Sequence, residues 1–201
     1  MVAPRKPPPS RMTVAEFLVW DSGDPDVYAR QLIDGEPVAM APASDNHGSI
    51  QAALAALLWN HLALPGSRCR VVTESGVVPR GQSDRNYRIP DIGVTCALPS
   101  GGQTVPDPVV LIEILSPSNE VETRSNVWAY MSIPTVQEIL VVHSTRIEAE
   151  PLRRAPDGSW PGLPARVGPV DALVLASIDF SIPLTALYRT TTLAQSGGSP
   201  P

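Results

Sequence analysis

The segment Pro108-Val109-Val110-Leu111-Ile112-Glu113-Ile114-Leu115 constrains the fold more than any other stretch of this chain. Every side chain in it except Glu113 is apolar, and the residues are too β-branched and too few for a long helix. A run of this kind, with no polar alternation, predicts a central strand covered on both faces, and therefore a sheet with helices packed against it. Glu113 is the exception that needs explaining, because a buried charge costs free energy unless something pairs with it.

The rest of the chain supplies the layers. Thr13 and Glu16 form a T-x-x-E capping box for a short helix through Phe17, Leu18 and Trp20. "YARQLIDGEPVAMAP" reads as two strands around Asp34-Gly35, a two-residue hairpin signal. Ser44 or Asp45 caps a helix with apolar positions Ile50, Ala53, Leu54, Leu57 and Leu58, and Gly66 lies beyond its end. "CRVVTESGVVP" is one bent strand or a hairpin, and "PDIGVTC" is a further strand opened by Pro90. Asn119 and Glu122 make an N-x-x-E cap for a helix through Val127, Trp128 and Met131, with Trp128 and Tyr130 as packing residues. Pro134 ends that helix before the strand "VQEILVVH". "TRIEAEPLRR", the Pro156-Asp157-Gly158 turn and later short runs add an antiparallel extension, and "IPLTALYR" closes with a short helix. The expected architecture is α/β: a mixed β-sheet flanked by helices, with an N-terminal hairpin and a C-terminal strand extension. Residues 1–11 are expected to be a flexible arm, residues 12–190 one domain, and residues 191–201 a disordered tail.

Composition narrows the function classes. A hydrophobic content of 43% against 17% charged residues supports a packed core. No apolar run reaches membrane-spanning length and the N-terminus has no apolar signal core, so a soluble, cytoplasmic protein is expected. The net charge of −5 counts against a dedicated nucleic-acid-binding module, though not against an enzyme that meets nucleic acid in a local groove. Cys69 and Cys96 lack any metal-ligand spacing and are expected as buried small hydrophobes rather than a disulfide. There is no G-x-S-x-G, P-loop or G-x-G-x-x-G motif.

The carboxylates carry what chemistry remains. Asp91 opens a strand after Pro90, and Glu113 lies inside the next long strand. Neighbouring strands are about 4.8 Å apart, so the two acids converge if their registers match. Converging carboxylates share a proton, pair with a cation, or bind a hard divalent metal. The competing structural role is a glutamate satisfied by Arg88, Arg124 or Arg146. Glu36 follows the Asp34-Gly35 turn, where a solvated hairpin residue is the simpler assignment. His47 falls in the first turn of the long helix, and a lone histidine there is more often an ordinary hydrogen-bonded residue. His61 and His143 show no partner pattern.

Taken in order, "YARQLIDGEPVAMAPAS", His47, "RIPDIGV", "PVVLIEILSPSNEVET" and "WAYMSIPTVQEILVV" resemble the Uma family of endonuclease-like proteins. That family lies within the PD-(D/E)XK, restriction-endonuclease-like superfamily, and the match runs from about Met12 to His143. The resemblance implies a restriction-endonuclease-like sheet and a metal-dependent endonuclease acting on phosphodiester bonds. It implies that Asp91 and Glu113, with the backbone carbonyl of Ile114, hold Mg²⁺ or Mn²⁺, and that Glu36 and His47 complete the catalytic site. Its lysine positions are substituted here: Leu115 stands two residues after Glu113, and Asn126 stands four before Tyr130 on the following helix. Asn126 carries no charge, and Arg124 is the nearby cation on the same helix. The expected partner is nucleic acid, DNA rather than RNA, met by a homodimer. A non-catalytic endonuclease-fold protein serving in binding or assembly is the alternative.

Overall fold

A computed structural model of the chain describes residues 11–20, 30–40 and 42–195. Most of the expected N-terminal arm and the last six residues of the expected tail therefore lie outside the described residues. Helix α1 (Val14–Val19) starts at the capping box: the Thr13 side chain accepts from the Glu16 N–H, and Thr13 N–H donates to the Glu16 carboxylate at 2.8 Å. Strands β1 (Arg30–Ile33) and β2 (Glu36–Ala39) pair antiparallel around Asp34 and Gly35. Both turn residues have positive φ, 51° and 87°, the primed-turn geometry that only Gly and Asn/Asp-type residues adopt cheaply. The hairpin is tied to the remainder of the fold by the exchange of backbone hydrogen bonds between Leu32 and Tyr87, 2.8 and 2.9 Å.

Helix α2 (Asp45–Leu62) is capped by Ser44, whose hydroxyl accepts from the His47 N–H at 3.3 Å. The central sheet is built from β3 (Arg70–Thr73), β4 (Ile92–Thr95), β5 (Pro108–Leu115), β6 (Glu138–His143) and β7 (Ala149–Arg153), in that spatial order. All pairings are antiparallel except β5 with β6. That parallel pair needs a crossover, which helix α3 (Glu120–Met131) supplies. A second hairpin, β8 (Ala172–Leu175) and β9 (Phe180–Pro183), follows the sheet. The expected last helix is a 3-10 turn over Leu184–Tyr188.

The continuous apolar run of β5 is explained by its two faces. Val110, Ile112 and Ile114 pack with Ile50, Leu54 and Leu58 of α2, whereas Leu111 and Leu115 pack with Val127 and Tyr130 of α3. By strand alternation Glu113 belongs to the α3 face. It enters a core it cannot leave without flipping the register of the whole strand.

Several expectations are corrected. Cys69 and Cys96 form a disulfide, because the Arg70↔Thr95 pairing of β3 with β4, extended by one residue, sets them opposite each other. Neither is buried. Asn119 makes no side-chain cap for α3; its Oδ1 instead accepts from Ser116 N–H at 2.7 Å and its Nδ2 donates to the Ile114 carbonyl at 3.3 Å. Trp128 is no packing residue but 71% exposed, since the buried stripe of α3 runs through Thr123, Asn126, Val127 and Tyr130. Within the stretch expected as tail, Thr192–Gln195 form a helical turn, α4, held to α2 by the Asn46 side chain on Thr192.

Candidate active site

The site begins as a row of acids across the sheet. β4 pairs with β5 so that Ile92 faces Ile112; one residue further, Asp91 stands opposite Glu113. On its other side β4 pairs with β3, and the Glu74 N–H donates to the Asp91 carbonyl at 3.2 Å. Glu74, Asp91 and Glu113 thus lie side by side on three adjacent strands, a consequence of register alone.

Each carboxylate has a distinct environment. Asp91 Oδ2 accepts from the backbone N–H of Ile114 at 2.6 Å, and Oδ1 lies 3.0 Å from His47 Nε2. The Ser44 cap that starts α2 is what aims His47 at the sheet end. Glu113, 4% exposed, accepts from Asn126 Nδ2 at 3.0 Å and from the Tyr130 hydroxyl at 2.6 Å. Both bonds fall on Oε1, and among the described residues Oε2 accepts none. Burial, and then the charge of Asp91, push the Glu113 carboxyl well above the usual carboxylate range, against the two hydrogen bonds. Burial and the adjoining Glu113 likewise push the Tyr130 phenol up.

These groups open into a cleft of about 380 Å³. His47, Glu74, Asp91, Glu113, Glu122 and Asn126 line it, and among the described residues no lysine or arginine does. Two buried carboxylates side by side, with no lysine or arginine among the described residues lining the cleft, form a hard-oxygen donor set with an imidazole beside it. That set fits Mg²⁺ or Mn²⁺.

Of the residues singled out in the sequence, the fold brings His47, Asp91, Glu113, Ile114 and Asn126 together. Glu36 is not brought in: it is the first residue after the hairpin turn and exposed, and it does not line the cleft, whereas Met40 beyond the other end of β2 does. Arg124 is turned away as well, its guanidinium bonded through both terminal nitrogens to Glu150 of β7. Arg146 is engaged elsewhere too, with Glu148 and His143. Sequence reasoning missed Glu74 and Gln51, whose Nε2 donates to the Asp91 carbonyl at 3.1 Å. It also missed Gln31, which bonds Glu122 and accepts from Ile89 N–H at 3.1 Å. The signal available for Glu74 was its place at the end of "RVVT", antiparallel to "PDIGVT".

A second cluster corrects the assignment of His143 as partnerless. Ligand atoms of His143, Glu148 and Glu150 lie within 4.8 Å of one another, and His143 Nε2 is 2.7 Å from Glu150. Arg124 and Arg146 already supply positive charge to it. Chiefly through the Arg124 bonds, the Glu150 carboxyl is pulled down to about 2. This is an ion-pair network.

A mixed sheet with a parallel β5–β6 crossover, helices on both faces and paired acids at the strand ends is a nuclease-like α/β architecture. A crystal structure described as a "putative nuclease belonging to DUF820", from Anabaena variabilis ATCC 29413, has the same fold. The two superpose with a TM-score of 0.69 at 17% identity, over 88% of this chain and 97% of that one. Residues 14–185 match the family model Uma2, described as "Putative restriction endonuclease". The chain is also 30% identical over 182 residues to the uncharacterized protein slr1290 of Synechocystis sp. (strain ATCC 27184 / PCC 6803 / Kazusa), covering 89% of this chain and 92% of that protein. The chain belongs to the Uma2 family. Among the described residues no helix is long and apolar enough to cross a membrane.

Proposed function

We propose that this protein is a divalent-metal-dependent nuclease whose site is the Asp91–Glu113 cleft. The observation that carries this reading is a buried pair of carboxylates from adjacent strands to which, among the described residues, no lysine or arginine is hydrogen-bonded. Membership of a family described as "Putative restriction endonuclease" supports it. Asp91 and Glu113 would hold Mg²⁺ or Mn²⁺, with the Ile114 carbonyl, which accepts from Asn119 Nδ2, as a third oxygen donor. A divalent cation there would supply charge neutralisation for a phosphodiester and acidify water. The chain's own contribution is orientation: Ile114 N–H holds Asp91 Oδ2, while Asn126 and Tyr130 hold Glu113 Oε1. His47, 3.0 Å from Asp91, would be the side chain of this reading that exchanges a proton with water or a leaving oxygen. Glu36, exposed on β2, has no part in the site.

Supercoiled DNA and labelled RNA incubated with Mg²⁺ or Mn²⁺ provide the test. The expected outcome is nicking of DNA that is lost by a factor of at least 10² in Asp91→Ala and Glu113→Ala and abolished by EDTA. Intact substrate under every metal condition, with wild-type protein shown to be folded, overturns it.

One observation favours a second reading, a binding or assembly protein without catalysis. Asn126 stands where the family resemblance places lysine, and among the described residues no lysine or arginine lines the cleft to stabilise developing negative charge. Mn²⁺ binding without cleavage in wild type, together with cleavage gained in Asn126→Lys, identifies a site weakened at that position. No Mn²⁺ binding and no cleavage in either protein favours the non-catalytic reading.

A further inference from the structure

Arg88 is 5% exposed, and among the described residues no carboxylate is hydrogen-bonded to it. Its backbone is fixed by paired hydrogen bonds with Val77, 2.7 and 2.9 Å. Its Nη1 donates to Asn126 Oδ1 at 3.0 Å, its Nη2 to Asn86 Oδ1 at 3.4 Å, and its Nε is buried without a partner. A buried guanidinium is expensive, and spending its best bond on a neutral amide is unusual. The geometry gives that bond a purpose. A guanidinium can only donate, so it obliges Asn126 to present Oδ1 toward Arg88 and therefore Nδ2 toward Glu113. Glu113 Oε1 is then occupied by Asn126 and Tyr130, and Oε2 is the oxygen left over.

We propose that Arg88 is a positioning residue: through Asn126 it orients Glu113 so that one carboxylate oxygen is held and the other is offered to a cation shared with Asp91. The proposal rests on the metal-site reading above. Arg88 acts from behind Asn126, as the relay of donors at 3.0 and 3.0 Å requires. A positive charge on its own opposes the binding of a cation nearby. Positioning and plain electrostatics therefore predict opposite signs for its removal. Outer partners of metal ligands commonly set affinity by ten- to a hundredfold, about the range expected here.

The test measures Mn²⁺ affinity by calorimetry on the full chain, for wild type, Arg88→Met, Arg88→Gln and Arg88→Lys, each confirmed as folded by circular dichroism. Expected results are a roughly tenfold loss in Arg88→Met and Arg88→Gln, and a loss of no more than about threefold in Arg88→Lys, which still only donates. Equal or tighter Mn²⁺ binding in the two neutral variants overturns the proposal while leaving the metal site standing. Absence of Mn²⁺ binding by wild type overturns the metal reading instead. A metal-free readout keeps the two apart. The Asn126 side-chain amide, located by its loss in Asn126→Asp, should exchange its hydrogens at least tenfold faster in Arg88→Gln than in wild type. Unchanged exchange overturns the proposal whatever the metal does.

Discussion

Two glutamates of one sheet row, both under helix α3, meet opposite fates. Val141 of β6 pairs with Glu113 on one side and with Glu150 on the other. Glu150 receives both terminal nitrogens of Arg124, and His143 besides, and its carboxyl is pulled down to about 2. Glu113 receives only an amide and a phenol, faces a second acid, and is pushed up. Among the described residues the cation bonded directly to a glutamate of this row, Arg124, is on Glu150, while Arg88 reaches Glu113 only through Asn126. The difference teaches where structure ends and chemistry starts. Glu150 is given its counter-charge by the chain, whereas Glu113 is not; on the metal reading proposed above, a cation from solution would offset that cost.

The contrast breaks most directly at Arg124. Arg124→Met leaves Glu150 buried against His143 alone, and should cost about 3 kcal/mol, the low end for a broken buried pair because Arg124 is 38% exposed. Thermal melting should fall by roughly 9 °C. The same substitution should leave Mn²⁺ affinity within about twofold, since Arg124 does not reach the cleft. Tyr130→Phe removes one of the two donors to Glu113 and should cost about 1.5 kcal/mol at neutral pH, seen in denaturant melts. Glu113→Gln should go the other way: without metal, melting rises by roughly 3 °C, about 1 kcal/mol, as the cost of burying an ionisable carboxyl disappears. With Mn²⁺ added, wild type should gain stability and this variant should not.

The smallest effects lie in pH. Glu150 has a depressed folded-state value, so its contribution is full above about 4.5 and is lost as pH falls toward about 2. Glu113 has a raised one: the folded state keeps its proton above 4.5, so the stability penalty grows as pH rises from 4.5 up to that raised value and levels off above it. Melting differences between wild type and Glu150→Gln should therefore vanish toward pH 2. Those between wild type and Glu113→Gln should already be gone by about pH 4. Parallel pH dependence in the two pairs would erase the distinction.

Much of the scaffold was legible because its causes are local. Thr13 and Glu16 are three residues apart, Asp34-Gly35 can be recognised within two residues, and "PVVLIEIL" announces a two-faced strand by itself. The site was legible in part: Asp91 and Glu113 stood out as acids in strands, and His47 as a residue at a helix start. What escaped depends on register and on side-chain direction. Cys69 and Cys96, 27 residues apart, meet only because β3 and β4 pair as they do. Glu74 joins the acids for the same reason. Glu36 drops out because it stands at the exposed start of β2, beside a turn that packs on Met12 and Arg85 rather than on the cleft.

The sequence alone determined a layered α/β fold, a charge buried in its central strand and a family resemblance that named the acids. Only the tertiary structure decided which arginine serves which glutamate. Arg124, on the same helix as Asn126, goes to Glu150, and Arg88, from a distant loop, stands behind Asn126 instead. The physical reason is that helix and turn signals act over a few residues, whereas partner choice in a core is set by which side chains the strand register brings within about 3 Å.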